Sequence, residues 1–207
     1  MKKHFLIFTF FLSVLLSIQP IMADTAGVSR QLTTKLDALF KASRSVNADG
    51  EEKVKARNQI EGSMDWEKIA QVCLGNYAKR NAGKNLNDFK TLLRDVVVKT
   101  AYSRLDKFWD GNTSYKYEKI EFKGGSAKVP CKFTVKGEPF VLEYFFSEKG
   151  NQWLIYDISY DDVRYSTNIS EQISAFLKEK SFAELLGKLR KRKDELSEDA
   201  KPRKSSF

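Results

Sequence analysis

Apolar and polar positions alternate with two different periods along this chain. From Val28 to Ser45 the apolar residues Leu32, Leu36, Leu39 and Phe40 recur at helical spacing, and the polar stretch NADGEE interrupts the pattern before a second, mostly polar helix that reaches Ile60. Ser63 or Asp65 is placed to cap a short helix carrying Trp66, Ile69 and Cys73 on one face, with Gly75 as its stop. Tyr77 falls in a further helical turn that ends at NAG, residues 81–83. The longest helix starts after Asn85 and runs to Lys107. Phe89, Leu92, Leu93, Val96 and Val97 form one stripe of it, while Val98, Tyr102 and Leu105 fall on the opposite side. Its second half is therefore apolar nearly all round and has to be covered on two sides.

After FWDGN, read as a loop, the period changes to two. YKYEKIEF, SAKVPCKFTV, EPFVLEYFF and WLIYDISYDDV are separated by KGG, KGE and EKGN, the pattern of a four-stranded antiparallel meander. Ala127, Val129, Cys131, Phe133 and Val135 alternate with polar residues, as do Phe140, Leu142, Tyr144 and Phe146, so one face of the sheet is apolar. Asn168 with Glu171 has the form of a capping box opening a helix with Ile169, Ile173, Phe176 and Leu177. A last helix carries Phe182, Leu185, Leu186 and Leu189. No internal repeat or domain linker interrupts the order, and 207 residues suit one domain with a substantial core.

The N-terminus changes where this domain is expected to work. MKKH is a positive start, FLIFTFFLSVLLSI an apolar run of 14 residues, and QPIMA ends in a small residue at Ala23. Together they predict a cleaved signal peptide over 1–23 and an exported, periplasmic protein. The run is shorter than the roughly 20 residues of a spanning helix, and Asp24, not Cys, follows the cleavage point, which disfavours a lipoprotein. Loss of Lys2 and Lys3 lowers the formal charge from +9 to +7, and loss of His4 removes the single histidine. A chain without histidine cannot run a Ser-His-Asp triad, a Cys-His pair or a His-ligated metal site. Cys73 and Cys131 are too few for a thiolate zinc site. They could form one disulfide in an oxidising compartment, but both occupy apolar positions, which predicts two buried free thiols.

The acids of the last strand offer no paired site. Asp161 and Asp162, read as extended neighbours, point to opposite faces, and Asp157 shares parity with Trp153 and Asp161 without a partner base, phosphate loop or metal spacing. No catalytic residues and no metal are expected. The basic run in KLRKRKDELSEDAKPRKSSF is interrupted by Asp194, Glu195, Glu198 and Asp199, so residues 191–207 are read as a charged tail following a domain at 24–190, with no nucleic-acid partner.

The stretch from MDWEKIAQVCLGNY through the long helix to AYSRL, with the later WLIYDISYDDVRYSTNISEQISAFLKEKSFAELLGKLRKR, resembles the MlaC or toluene-tolerance family of periplasmic phospholipid-binding proteins. VCLGNY, Tyr102 and the W-x-x-Y-D-I strand followed by Val163 and TNISEQ carry the resemblance over nearly the whole mature chain. The two cysteines depart from the pattern, and NAGKNLNDF stands where many members have a Thr-Pro-type helix start. The resemblance implies an α+β fold in which a helical layer packs on a curved four-stranded antiparallel sheet and encloses an apolar pocket for a diacyl phospholipid. Val98 and Tyr102 would line it from the helix, Phe140, Leu142 and Tyr144 from the third strand, and Val163 from its mouth, with Leu74 and Tyr77 as weaker candidates. It also implies partners: an inner-membrane ABC transporter complex with MCE domains and an outer-membrane lipoprotein complex, between which such a carrier moves lipid, supporting outer-membrane lipid asymmetry and solvent tolerance. A non-catalytic envelope adaptor with a solid core is the alternative, and an enzyme on a curved-sheet fold a more distant one.

Overall fold

The apolar stripes of the N-terminal half become helices in the computed structural model, which describes residues 25–80, 84–109 and 112–198. The expected leader, the NAG stretch at 81–83 and the end of the charged tail lie outside the described residues. α1 (Thr25–Ser43) buries Leu32, Leu36, Leu39 and Phe40, whereas the polar α2 (Gly50–Gly62) buries Ala56 and Ile60. α3 (Trp66–Leu74) is capped by Asp65, whose Oδ1 accepts from the Lys68 N–H at 3.1 Å. It stops at Gly75, where φ is 53°, a conformation that favours glycine, and where a Cβ would stand a tight 3.0 Å from Ser170 Oγ. α4 (Asn76–Arg80) is one short turn, and α5 (Lys84–Phe108) is the long helix.

The four expected strands become six. β1 (Ser114–Tyr117) and β2 (Glu121–Lys123) both pair antiparallel with β3 (Ser126–Val135), and β4 (Glu138–Lys149), β5 (Gln152–Tyr160) and the two-residue β6 (Val163–Arg164) follow in order. Pro130 accounts for the first split. The Glu118 N–H donates to the Pro130 carbonyl at 2.9 Å, so the backbone of residue 130 faces the β1–β2 side, where proline has no N–H to offer. The ladder breaks there, and its register shifts by one between Tyr117–Cys131 and Glu121–Lys128.

The second split lies at Asp161 and Asp162. Both are left-handed, with φ 46° and 63°, and they form the two-residue turn between Tyr160 and Val163. The expectation that they are extended neighbours on opposite faces is thus corrected: they are exposed turn residues, a role that short polar side chains tolerate.

A bulge in β5 corrects the parity of Asp157. Phe145 pairs with Asp157 but Phe146 with Ile155, so Tyr156 is an extra residue on β5. Trp153 and Ile155 face the apolar side; Tyr156 stands beyond the switch, and Asp157 and Ser159 pair with Phe145 and Glu143 on the other face. Asp157 then serves the next helix, α6 (Tyr165–Glu179). Its carboxylate accepts from Ile158 N–H, Arg164 Nε, Ser166 N–H and Ser166 Oγ, at 3.0, 2.6, 3.1 and 2.5 Å. α6 therefore begins earlier than the Asn168–Glu171 box predicts, because a strand carboxylate satisfies its first turn and leaves Asn168 inside the helix. α7 (Phe182–Glu198) also runs past residue 190, the expected end of the domain. Lys193 pairs with Asp95 at 3.2 Å, and Ser197 Oγ accepts from Lys99 on α5.

Two apolar clusters result. The first fills the space between the inner sheet face and α1, α2 and the second half of α5; the second joins α3, the first half of α5, α6 and α7. α5 belongs to both, with Phe89, Leu92 and Leu93 in one and Val98, Tyr102 and Leu105 in the other.

Candidate functional site

Residues paired across an antiparallel ladder point to one face, so the register of the sheet defines rows on its inner surface. Ala127, Phe146 and Ile155 form one; Val129, Tyr144 and Ile158 the next; Cys131, Leu142, Tyr160 and Val163 a third; Phe133 and Phe140 the last. The third row changes character along its length. Cys131 is fully buried, Leu142 half-buried, Tyr160 45% and Val163 60% exposed, so the apolar face comes out to solvent at the β5–β6 hairpin. Tyr165, 57% exposed, adjoins it at the start of α6.

Phe133 is the centre of a ring cluster at this end of the sheet. It stacks on Phe140 at 5.7 Å and meets Phe40 and Phe108 edge-on at 5.3 Å each. Phe40 reaches Tyr144 at 5.6 Å, and Phe140 reaches Tyr160 at 5.7 Å. Trp109 closes the cluster against Phe108 at 4.8 Å and is held by its indole N–H, which donates to Ser43 Oγ at 2.7 Å. On the far side of Phe133, Tyr115 and Tyr117 donate their hydroxyls to Asp37 Oδ1 at 2.9 and 2.6 Å, which ties β1 to α1.

The ionisable groups on this wall are held neutral. Burial, helped by Cys131 and Tyr165, raises the Tyr144 phenol. Burial, then Glu61 by its charge and its hydrogen bond, raises that of Tyr102. The Cys131 thiol is pushed up to about 12, first by burial and then by Asp37 and Glu118. Such a surface offers apolar contact area. Cys73 is likewise free and buried, in the other cluster, so the expectation of two buried thiols holds.

Of the residues expected at the site, Val98, Tyr102, Phe140, Leu142 and Tyr144 come together in the first cluster, and Val163 ends its open row. Leu74 and Tyr77 lie elsewhere. Leu74 is buried in the second cluster, and the Tyr77 ring stacks on Phe182 at 4.9 Å. The expected site set did not include Phe40, placed only on the apolar stripe of the first helix, nor Phe108 and Trp109. The last two stood in a segment read as a loop, although two adjacent large aromatics at a helix end are themselves a packing signal.

A helical layer over the inner face of a curved, unclosed antiparallel sheet, with an aromatic wall that opens at one end, defines an α+β class built around an apolar interior. The sequence matches the family model described as MlaC protein over residues 30–191, and the chain belongs to the MlaC family. Among solved structures it is similar to a phospholipid-binding protein from Ralstonia solanacearum, determined in complex with a phospholipid. The two share 17% identity and a TM-score of 0.69, over 81% of this chain and 97% of that one. No curated protein matches the sequence.

Proposed function

We propose that this chain is a periplasmic phospholipid carrier that holds the acyl chains of one diacyl lipid between the inner sheet face and α5. The observation that supports this most is the third row of the sheet, which leads without a polar interruption from buried Cys131 to exposed Val163. Membership of the MlaC family and the phospholipid seen in the Ralstonia protein agree with it. Val98, Tyr102, Phe140, Leu142 and Tyr144 would meet the chains and Val163 would edge the mouth. Leu74 and Tyr77 would act at one remove, backing α5.

Energetics favours a carrier over a simple sequestering protein. Some 30 methylenes at about 0.8 kcal/mol each exceed 20 kcal/mol measured against water, beyond the practical limit of non-covalent affinity. Against a bilayer, equally apolar, the difference is small. A bound lipid is then locked in solution and exchangeable at a membrane complex. The partners would be an inner-membrane ABC transporter with MCE domains and an outer-membrane lipoprotein complex. No cofactor or catalytic step is part of this reading.

Native mass spectrometry of the purified chain tests it. One diacyl phospholipid per chain is expected, and delipidated protein should reload from vesicles. Protein that carries none and takes up none refutes the proposal.

A further inference from the structure

We propose that the Tyr144 hydroxyl recognises the ester level of the lipid. It donates a hydrogen bond to an acyl ester carbonyl just inside the mouth, so the site favours ester-linked over ether-linked chains. The inference rests on the carrier reading above and adds to it the chemical linkage of the cargo.

Tyr144 stands one row in from the opening. It pairs with Val129 and Ile158 on the inner sheet face, two residues along β4 from Leu142, whose row runs out through Tyr160 to exposed Val163. Two strand residues span roughly 7 Å. From the helical side, Phe40 packs against the ring at 5.6 Å. After burial itself, the groups that raise the phenol are Cys131, in the opening row, and Tyr165, beside its exposed end. The hydroxyl is thus within electrostatic reach of the row that leads to solvent.

This hydroxyl differs from those of the tyrosines around it. Tyr102 donates to Glu61 at 3.3 Å, and Tyr115 and Tyr117 donate to Asp37. Tyr144 is only 5% exposed, and its hydroxyl has no hydrogen-bond partner among the described residues. Nor is its oxygen sealed in: among the described residues the enclosed side-chain atoms without a partner are Arg94 Nε and Ser147 Oγ. Val129, Ile158, Leu142 and Phe40 carry no side-chain acceptor to offer it. A buried donor left unmet costs free energy that an incoming acceptor recovers. Since the phenol is raised, it stays protonated and remains a donor across the neutral range.

A diacyl phospholipid with its chains along the inner face and its head at Val163 brings two ester carbonyls to the junction between them. Its methylene chains carry no acceptor, and its phosphate stays outside with water. The first acceptor inside the mouth is therefore an ester carbonyl, at the depth of the unmet hydroxyl. An ether oxygen accepts more weakly than a carbonyl, so a dialkyl lipid of equal length and head fills the site without satisfying Tyr144.

The experiment loads delipidated full-length protein from vesicles containing equal amounts of a diacyl phosphatidylglycerol and its dialkyl ether analogue, and reads the bound ester-to-ether ratio by native mass spectrometry. The ratio is expected to fall roughly fivefold from wild type to Tyr144→Phe, the scale of one neutral hydrogen bond. Tyr144→Phe keeps the ring against Phe40, so the delipidated variant should melt no lower than wild type. An equal ratio in the two proteins overturns the assignment while the carrier reading stands. If wild type loads neither lipid, the carrier reading itself fails. A second measurement needs no variant: infrared spectra of wild type loaded with a diacyl lipid isotope-labelled at its ester carbonyls should show part of the ester band at lower frequency than in dry alkane. A band wholly at the unbonded position overturns the hydrogen bond, and a lowered band that persists in Tyr144→Phe assigns the donor to water and overturns it as well.

Discussion

The carboxylate of Asp157 accepts from donors on β5, β6 and α6, and its side chain is almost fully buried. Asp157→Asn keeps the shape, removes the charge opposite Arg164 and places an amide among donors. It is expected to lower stability by about 2–4 kcal/mol, read as a fall in urea midpoint at unchanged slope, with lipid content retained. The structure also separates two residues that the sequence treats alike. Val163 is exposed, so Val163→Asp should leave the melting temperature unchanged and deplete bound lipid, because a charge against acyl chains costs on the order of several kcal/mol. Tyr144 is buried against Phe40, so Tyr144→Asp should lower the melting temperature as well. A Val163→Asp protein that keeps its lipid would move the mouth elsewhere. The thiols give a pH dependence of known sign. Burial pushes Cys73 and Cys131 up to about 12, with Asp157 adding to the first, from an ordinary value of 9.0. The folded state holds these protons more tightly than the unfolded state, so stability should be unaffected below pH 9 and fall as pH rises from about 9 towards about 12. Urea unfolding across this range checks the sign, and rapid thiol labelling of the native protein at pH 8 would contradict the burial.

α5 shows how much an element can reveal before its neighbours are known. Two stripes on one helix require two covers, and the division of Phe89, Leu92 and Leu93 from Val98, Tyr102 and Leu105 follows from helical period alone. The cover on each side does not. Leu74 and Tyr77 are as apolar as the site residues, and only tertiary packing assigns them to the second cluster. β5 was still less legible. Trp153 and Ile155 at one parity and Leu154, Tyr156 and Ile158 at the other give no reading of where the extra residue sits. Without the bulge, Ile158 would turn to the outer face and Asp157 inward. Deletion of Tyr156, the unpaired residue, should therefore leave Ile155 and Asp157 opposite Phe146 and Phe145 on their present faces and keep cooperative unfolding, measured by near-ultraviolet circular dichroism and urea titration. Loss of cooperative unfolding would show that the bulge itself, and not only the register it sets, is required.

Among the described residues α5 carries side chains of both clusters, and the proposed lipid site belongs to one of them. Hydrogen exchange of loaded and delipidated protein should then differ in α1, the second half of α5 and β3–β5, and change little in α3, α6 and α7. Uniform protection would mean that the molecule responds as one unit. The unclosed sheet has a further consequence, for behaviour in a crowded compartment. A long free edge invites pairing with another copy and growth into fibrils. Here one margin consists of β1 and β2, four and three residues long and interrupted opposite Pro130. At the other margin β6 covers Ser159 and Tyr160, while Ile155 exchanges backbone hydrogen bonds with Ser63 and Asp65. The unclosed sheet therefore ends in short or covered margins and offers little template for self-assembly, and Tyr160 and Val163 can meet a lipid without a long run of free backbone beside them.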